Sequence, residues 1–372
     1  MDTTTTADDR DETRSGDRRP RRRARRWRAA LCCAPALAGL SALAGGTTAA
    51  AAARTDSGRH VVPLVFYSSI GYDQLAATDF TKRFHIPVEI EHNPTGAALD
   101  QIEASRSNPK WDFWWTDGPT NFALLDSQHM LVRGFEPKVD WNALGREAIP
   151  SDGSYVPTGV TIAAALVYNR QRVPHPPTSW AQLLDPQWRG KVGMNDPSIS
   201  GPTYPFVAGM MQELGGIPAG EAYFKDLKAD GLLVEPKNGP TLAALASGEI
   251  DVALVQSTAA VGATFSDHDL GVEYLSPSTL LPSAIGIDAK APAAARAEAE
   301  TFVEYMLSPA GQKIMETGDP TGDSLYYPVL QGIRARPVLP PLASVKTITI
   351  NPYTWGAREG AIDTWFTQNI VQ

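Results

Sequence analysis

The sequence predicts an α/β protein of two lobes, built on mostly parallel sheets flanked by helices. Three observations predict it. From residue 60 onward, short runs rich in Val, Ile and aromatic residues alternate with longer stretches whose apolar residues recur at helical spacing. A Gly/Pro-rich segment, SDGSYVPTG (151–159), interrupts this alternation before it resumes. The 372 residues, 43% hydrophobic and 20% charged, are enough for two lobes with separate cores.

The elements follow in order. VVPLVFY (61–67) is a β-rich run expected as a strand, and GYDQLAATDFTKRF (71–84) has helical spacing. IPVEIEH, GAALDQIEAS, DFWWTD and PTNFALLDSQHML repeat the pair twice, which completes a first set. After the Gly/Pro break, TIAAALVYN (161–169) is expected as a strand with a small-residue face that opens the second lobe. Its further elements are a TSWAQLLD helix, KVGM, a helix from Thr203 to Leu214, AGEAYFKDLKA, LLV, TLAALASG, DVALV and TAAVGATF. VEYLSP and LPSAIGID then lead to two helices, APAAARAEAETFVEYML and SPAGQKIMETG, which Ser308-Pro309 separates as a helix-start signal. A Pro-rich connection ends in a terminal helix, YTWGAREGAIDTWFTQNIV. The expected division is residues 1–53 as an export peptide, 54–158 plus 281–372 as lobe 1, and 159–280 as lobe 2.

The export peptide is read from an Arg-rich start, eight arginines between Arg18 and Arg28, then the apolar AALCCAPALAGLSALA and small residues ending in Ala51-Ala52-Ala53. The apolar stretch is short for a bilayer span. Arg25-Arg26-Trp27-Arg28 leaves twin-arginine and general export both open. Cleavage would remove Cys32 and Cys33, the only cysteines, and with them any disulfide or thiolate metal site. It would leave 23 basic and 35 acidic residues, a net charge of −12. Such a surface disfavours nucleic acid and anionic membranes as partners.

The block VYNRQRVPHPPTSWAQLLDPQWRGKVGMNDPSISGPTYPFVAGMMQELGG (167–216) carries Tyr168-Asn169, Pro177-Thr178-Ser179-Trp180, Leu184-Asp185, Pro186-Gln187-Trp188-Arg189-Gly190-Lys191 and Asp196-Pro197-Ser198-Ile199-Ser200-Gly201 in order. It resembles the extracellular solute-binding proteins of ABC importers, in the group that includes ferric-ion, phosphonate, thiamine and polyamine binders. The resemblance runs over nearly the whole chain after the export peptide. It implies a two-lobed periplasmic-binding-protein fold of the second type with hinge crossovers, a small-molecule ligand, a membrane permease as partner and work outside the cytoplasm. A soluble monomer without cofactor is expected.

In open α/β sheets ligands lie beyond the carboxyl ends of strands, where helix N-termini aim free N–H groups into the crevice. Four places satisfy this: Ser68 and Ser69; Asp117 and Gly118; Ser198, Ser200, Gly201 and Thr203; and Gln256, Ser257 and Thr258. The Ser198–Thr203 group either holds an oxyanion or caps a helix. Ser68 and Ser69 are either ligand contacts or a polar turn, and Asp117 either a helix cap or the partner of an ammonium or metal. Trp111, Trp114 and Trp115 are expected in the core rather than as an aromatic cage. The six histidines form no metal-binding pair in sequence.

Ferric binders of the resembled group place two adjacent tyrosines after the strand matching DVALV, where this chain has Thr258-Ala259. One carboxylate with neutral hydroxyls is a poor first shell for Fe3+. The adjacent Tyr326 and Tyr327 lie elsewhere; alternation in an extended segment puts at most one, Tyr326, on the cleft. The leading expectation is therefore a small oxyanion or zwitterion such as an aminoalkylphosphonate, with ferric species, thiamine and polyamines as alternatives. A sensor subunit remains equally compatible with the sequence. Catalysis on the same fold is the remote alternative, because the chain past the export peptide offers no cysteine, G-x-S-x-G or short-range Ser/His arrangement.

Overall fold

A computed structural model describes residues 62–319, 322 and 324–372. The expected export peptide, with Cys32 and Cys33, and His60 lie outside the described residues. The chain divides into Met1–Gly58 and a unit from Arg59 to Gln372, and the fold below is that of the second unit.

In chain order the elements are β1 (Leu64–Ser68), α1 (Asp73–Phe84), β2 (Val88–His92), α2 (Thr95–Ala104), β3 (Phe113–Asp117), α3 (Pro119–Ser127), α4 (Ala143–Ala148) and β4 (Val156–Ile162). Then follow β5 (Ala165–Asn169), β6 (Val192–Asn195), α5 (Thr203–Glu213), α6 (Ile217–Ala229), β7 (Leu233–Glu235), α7 (Asn238–Ser247), β8 (Val252–Val255), α8 (Ser257–Ser266) and β9 (Leu270–Glu273). The last are β10 (Ser278–Ile287), α9 (Ala293–Met306), α10 (Pro309–Thr317), β11 (Thr347–Ile348), α11 (Pro352–Gly356) and α12 (Glu359–Phe366).

Two sheets carry these elements. The first has the order β11-β10-β3-β1-β2, with β4 also on β10; the second has the order β7-β6-β8-β5-β9. β1 pairs in parallel with β2 and β3, and β6 with β7 and β8. The strands next to the crossings between sheets run the other way: β10 is antiparallel to β3 and β4, and β5 to β8 and β9. These pairings make both sheets mixed.

The crossings explain where sequence and structure part. TIAAALVYN, expected as one strand, is two, because the chain leaves the first sheet after Ile162 and enters the second at Ala165. It returns to the first sheet at Ser278. The expected TSWAQLLD helix is one short 3-10 turn, Trp180–Leu184, that ends at an extended Asp185, the conformation that a following proline imposes, and a second such turn, Pro186–Trp188, follows it. The terminal helix was expected with the first lobe. Its Trp355, Ile362, Phe366 and Ile370 instead join Tyr204, Phe224 and Met194 in the second core. The spacing 362, 366, 370 puts one apolar stripe against that core. Phe366→Ala, which removes a ring 5.3 Å from Phe224, is expected to cost about 3–5 kcal/mol in a urea titration.

The first core gathers Phe66, Phe113, Trp115 and Phe302. Alternation along β3 sends Trp114 to the opposite face, against Phe122 and Tyr155. All three tryptophans of this region are buried at 2% exposure or less, as packing residues.

Candidate functional site

The strand ends and helix starts of both sheets meet at a cleft of about 480 Å³. From the first sheet it is lined by Ser69, Thr95 and Asp117; from the second by Ser200, Gly201, Lys237, Asn238 and Gln256; Tyr326 closes one end. The N-termini of α2, α5, α7 and α8 contribute Thr95, Pro202, Asn238 and Gln256 to its walls. Four helix starts directed at one cleft set the positive ends of four helix dipoles there, a potential suited to an anion.

Asp117 brings a buried carboxyl group to the site. Its carboxylate accepts hydrogen bonds from the Tyr326 hydroxyl at 2.9 and 3.1 Å and from Gln256 Nε2 at 2.8 Å. The Gln256 bond joins the end of β8 to the end of β3, so it ties the second lobe to the first. Tyr326 reaches Asp117 because Tyr327 bridges Val160 in the neighbouring backbone and Gly159 leaves room: a Cβ there would stand 2.6 Å from Met315 Sδ and 3.0 Å from Tyr326 Cβ. The alternation expected for the two tyrosines is what the backbone gives. Tyr327 packs with Val261, Leu325 and Leu339 and donates its hydroxyl to Pro340 O; burial raises its pKa to about 12.

The remaining residues singled out in the sequence divide by what already holds them. Ser69 Oγ lines the cleft and donates to Asn93 O, while the buried Ser68 Oγ accepts from Ile70 N. Ser198 is held by Asp196, whose Oδ1 accepts from both its N–H and its hydroxyl. Ser257 spends its hydroxyl on Thr161 Oγ1 and Ile162 N, fastening α8 to β4. Thr203 and Thr258 are buried and do not line the cleft. Gly118, at φ +98°, starts α3 beside Gly201 O and Pro205.

The structure also brings in residues that the sequence reading passed over. Thr95 and Thr116 hydroxyls meet at 3.0 Å at the cleft wall. His92, expected among scattered histidines, sits on the rim with Nδ1 2.7 Å from Asp73 Oδ2. Lys237 and Asn238 start α7 beyond β7. The signal was present: HNPTG and EPKNG follow strands as DFWWTDG does. Among the described residues no group of three or more His, Cys, Asp or Glu is placed to hold a metal ion.

The two lobes touch where glycine removes a side chain. A Cβ on Gly96 would stand 2.3 Å from Ser198 O, and one on Gly201 would stand 2.3 Å from Thr95 Oγ1.

Residues 76–339 match the family model described as bacterial extracellular solute-binding protein. Over 174 residues the chain is 25% identical to a Salmonella paratyphi A protein provisionally named a 2-aminoethylphosphonate-binding periplasmic protein, with 47% of this chain and 49% of that one aligned. The chain thus spans about half the length of the named relatives it matches. A periplasmic binding protein from Actinobacillus pleuropneumoniae, solved with fructose 6-phosphate, superposes with a TM-score of 0.73 at 20% identity over 83% of this chain and 98% of its own. Iron-bound HitA from Pseudomonas aeruginosa does so with a TM-score of 0.69 at 21% identity over 82% and 98%. These likenesses give the fold, the two-lobed periplasmic-binding-protein fold of the second type.

Proposed function

The chain belongs to the bacterial extracellular solute-binding proteins, and on that premise we propose that it captures a small oxyanion or zwitterion, best an aminoalkylphosphonate, and delivers it to the permease of an ABC importer. The observation that carries the ligand class is one buried carboxylate, Asp117, facing walls made of helix N-termini, hydroxyls and Lys237. Asp117 takes the ammonium, with Tyr326 and Gln256 orienting its oxygens. Ser200, Asn238, Thr95 and Lys237 take the oxyanion. Closure of the lobes over the ligand presents both to the permease. The protein acts as an exported monomeric carrier, not an enzyme, and has no nucleic-acid partner.

Calorimetry with 2-aminoethylphosphonate, methylphosphonate, phosphate, putrescine, thiamine and ferric citrate tests this reading. The zwitterion is expected to bind about 10- to 100-fold more tightly than methylphosphonate, the worth of one desolvated charge-assisted contact. Asp117→Asn should erase that margin while leaving methylphosphonate within a few-fold; Tyr326→Phe should narrow it. Binding confined to ferric species or to polyamines would overturn the ligand class. Ligand recovered unchanged after incubation is the expected mark of a carrier, and product formation the mark of an enzyme.

A further inference from the structure

We propose that Asn195, which does not line the cleft, is the positioning residue that makes the second lobe's wall a hydrogen-bond donor surface for a phosphonate or phosphate group. The inference rests on the ligand class above and assigns the residue that sets it. Asn195 ends β6 and is buried at 1% exposure. Both ends of its carboxamide are bonded: Nδ2 donates to Asn238 Oδ1 at 2.7 Å and to Ser200 Oγ at 3.3 Å, and Oδ1 accepts from Thr241 Oγ1 at 2.6 Å. Its three partners come from the loop ahead of α5 and from the first turn of α7, so a single side chain ties together two elements that face the ligand.

The consequence follows from hydrogen-bond inventory. An amide nitrogen has only protons to give, a hydroxyl has one proton and two lone pairs, and a carboxamide has one acceptor end and one donor end. By donating to Ser200 Oγ, Asn195 fills a lone pair there and leaves the hydroxyl proton to point elsewhere. By donating to Asn238 Oδ1, it fixes that carboxamide's acceptor end inward and leaves its NH2 outward. Ser200 and Asn238 both line the cleft, next to Lys237 and the first-turn N–H groups of α7. The wall therefore presents donors in a row, which matches the three acceptor oxygens of a phosphonate and mismatches an ammonium. Thr241 sets the direction. Its hydroxyl is 2.6 Å from Asn195 Oδ1 and 3.1 Å from Lys237 O, and the shorter contact holds the carbonyl end of Asn195 toward α7.

The test uses the full chain, with methylphosphonate as the anion-only probe. Asn195→Asp keeps the shape but only accepts when ionised, so Ser200 and Asn238 turn their protons inward and the wall loses its donors. At pH 7.5 its affinity is expected to fall about 100-fold, and the deficit relative to the unmodified protein should shrink as the pH is lowered and the new carboxyl regains a proton. A merely structural role would give a deficit that does not close on acidification. Thr241→Val removes the directing hydroxyl without adding charge and should cost about 10-fold; it also keeps the proposal testable if Asn195→Asp does not fold. If the unmodified protein binds methylphosphonate and both folded variants stay within 3-fold of it, Asn195 has no such role and the ligand class stands. If Thr241→Val alone folds, an unchanged affinity overturns the proposal. If the unmodified protein binds neither phosphonate nor phosphate, the ligand class itself fails.

Discussion

Gly96→Ala is expected to weaken ligand binding by about 100-fold or more while leaving the ligand-free protein as stable as before or slightly more so. The split follows from where Gly96 lies. It is the second residue of α2, where exchange for alanine lowers the entropy of the unfolded chain and suits the helix, a gain of roughly 0.5–1 kcal/mol. Across the cleft its Cβ would stand 2.3 Å from the backbone oxygen of Ser198. That oxygen belongs to a turn braced by Asp196, so it cannot rotate aside as a side-chain tip could. Separation of the lobes relieves the clash, and in a protein that binds by closing, a closed state disfavoured by about 3 kcal/mol costs roughly a hundredfold in apparent affinity. Gly201→Ala meets the Thr95 side chain instead, which has a hydroxyl end able to shift, and should cost less. Small-angle scattering with saturating 2-aminoethylphosphonate should show compaction in the unmodified protein and none in Gly96→Ala. Equal compaction in both would mean that the contact does not control closure.

The site was legible wherever a strand ended in an obvious polar turn. YSS, DFWWTDG and ALVQS follow strong apolar runs, and the cleft is lined by Ser69, Asp117 and Gln256 from just these places. β2 and β7 obey the same rule but are weak strands in sequence: VEIEH is half exposed, and β7 has only three residues. Thr95, Lys237 and Asn238 were passed over with them. What sequence could not give is which of two neighbouring hydroxyls is already spent. Ser198 and Ser200 are equivalent as letters, yet Asp196 consumes the first and Asn195 donates to the second. The paired tyrosines could be separated because a two-residue period is a property of the backbone. The terminal helix shows the opposite limit: its apolar stripe was readable, whereas the core it joins depends on a packing partner 142 residues away in sequence, Phe224 against Phe366.

That same helix carries the second large expected effect, a loss of stability as the solution goes from acid to neutral. Asp363 is pushed up to about 7, by burial first and by the charge of Asp196 second. Glu359, one turn earlier and buried, is raised well above its ordinary value by burial and then by Asp363. The groups around the pair are Tyr204 on α5, Thr120 on α3, Asp196 and the adjacent Arg358. A carboxyl whose folded pKa exceeds its unfolded one keeps its proton in the folded chain after the unfolded chain has lost it. Stability is then fully present below the unfolded value, near 4, and falls as pH rises toward 7. For Asp363 the fall is on the order of 4 kcal/mol across that window, at about 1.4 kcal/mol per unit. Asp363→Asn cannot ionise, so its stability should match the unmodified protein near pH 4 and exceed it by several kcal/mol at pH 8. Urea titrations at pH 4, 6 and 8 decide the matter, and curves that stay parallel across the three would show that Asp363 is already ionised in the folded chain. The effect should also reach the ligand site, since Asp196 both faces Asp363 and braces the Ser198 turn that Gly96 contacts. Removing the charge at 363 therefore relieves repulsion on the turn that leads into Ser200 at the cleft wall, and Asp363→Asn is expected to bind 2-aminoethylphosphonate with a weaker dependence on pH between 6 and 8 than the unmodified protein.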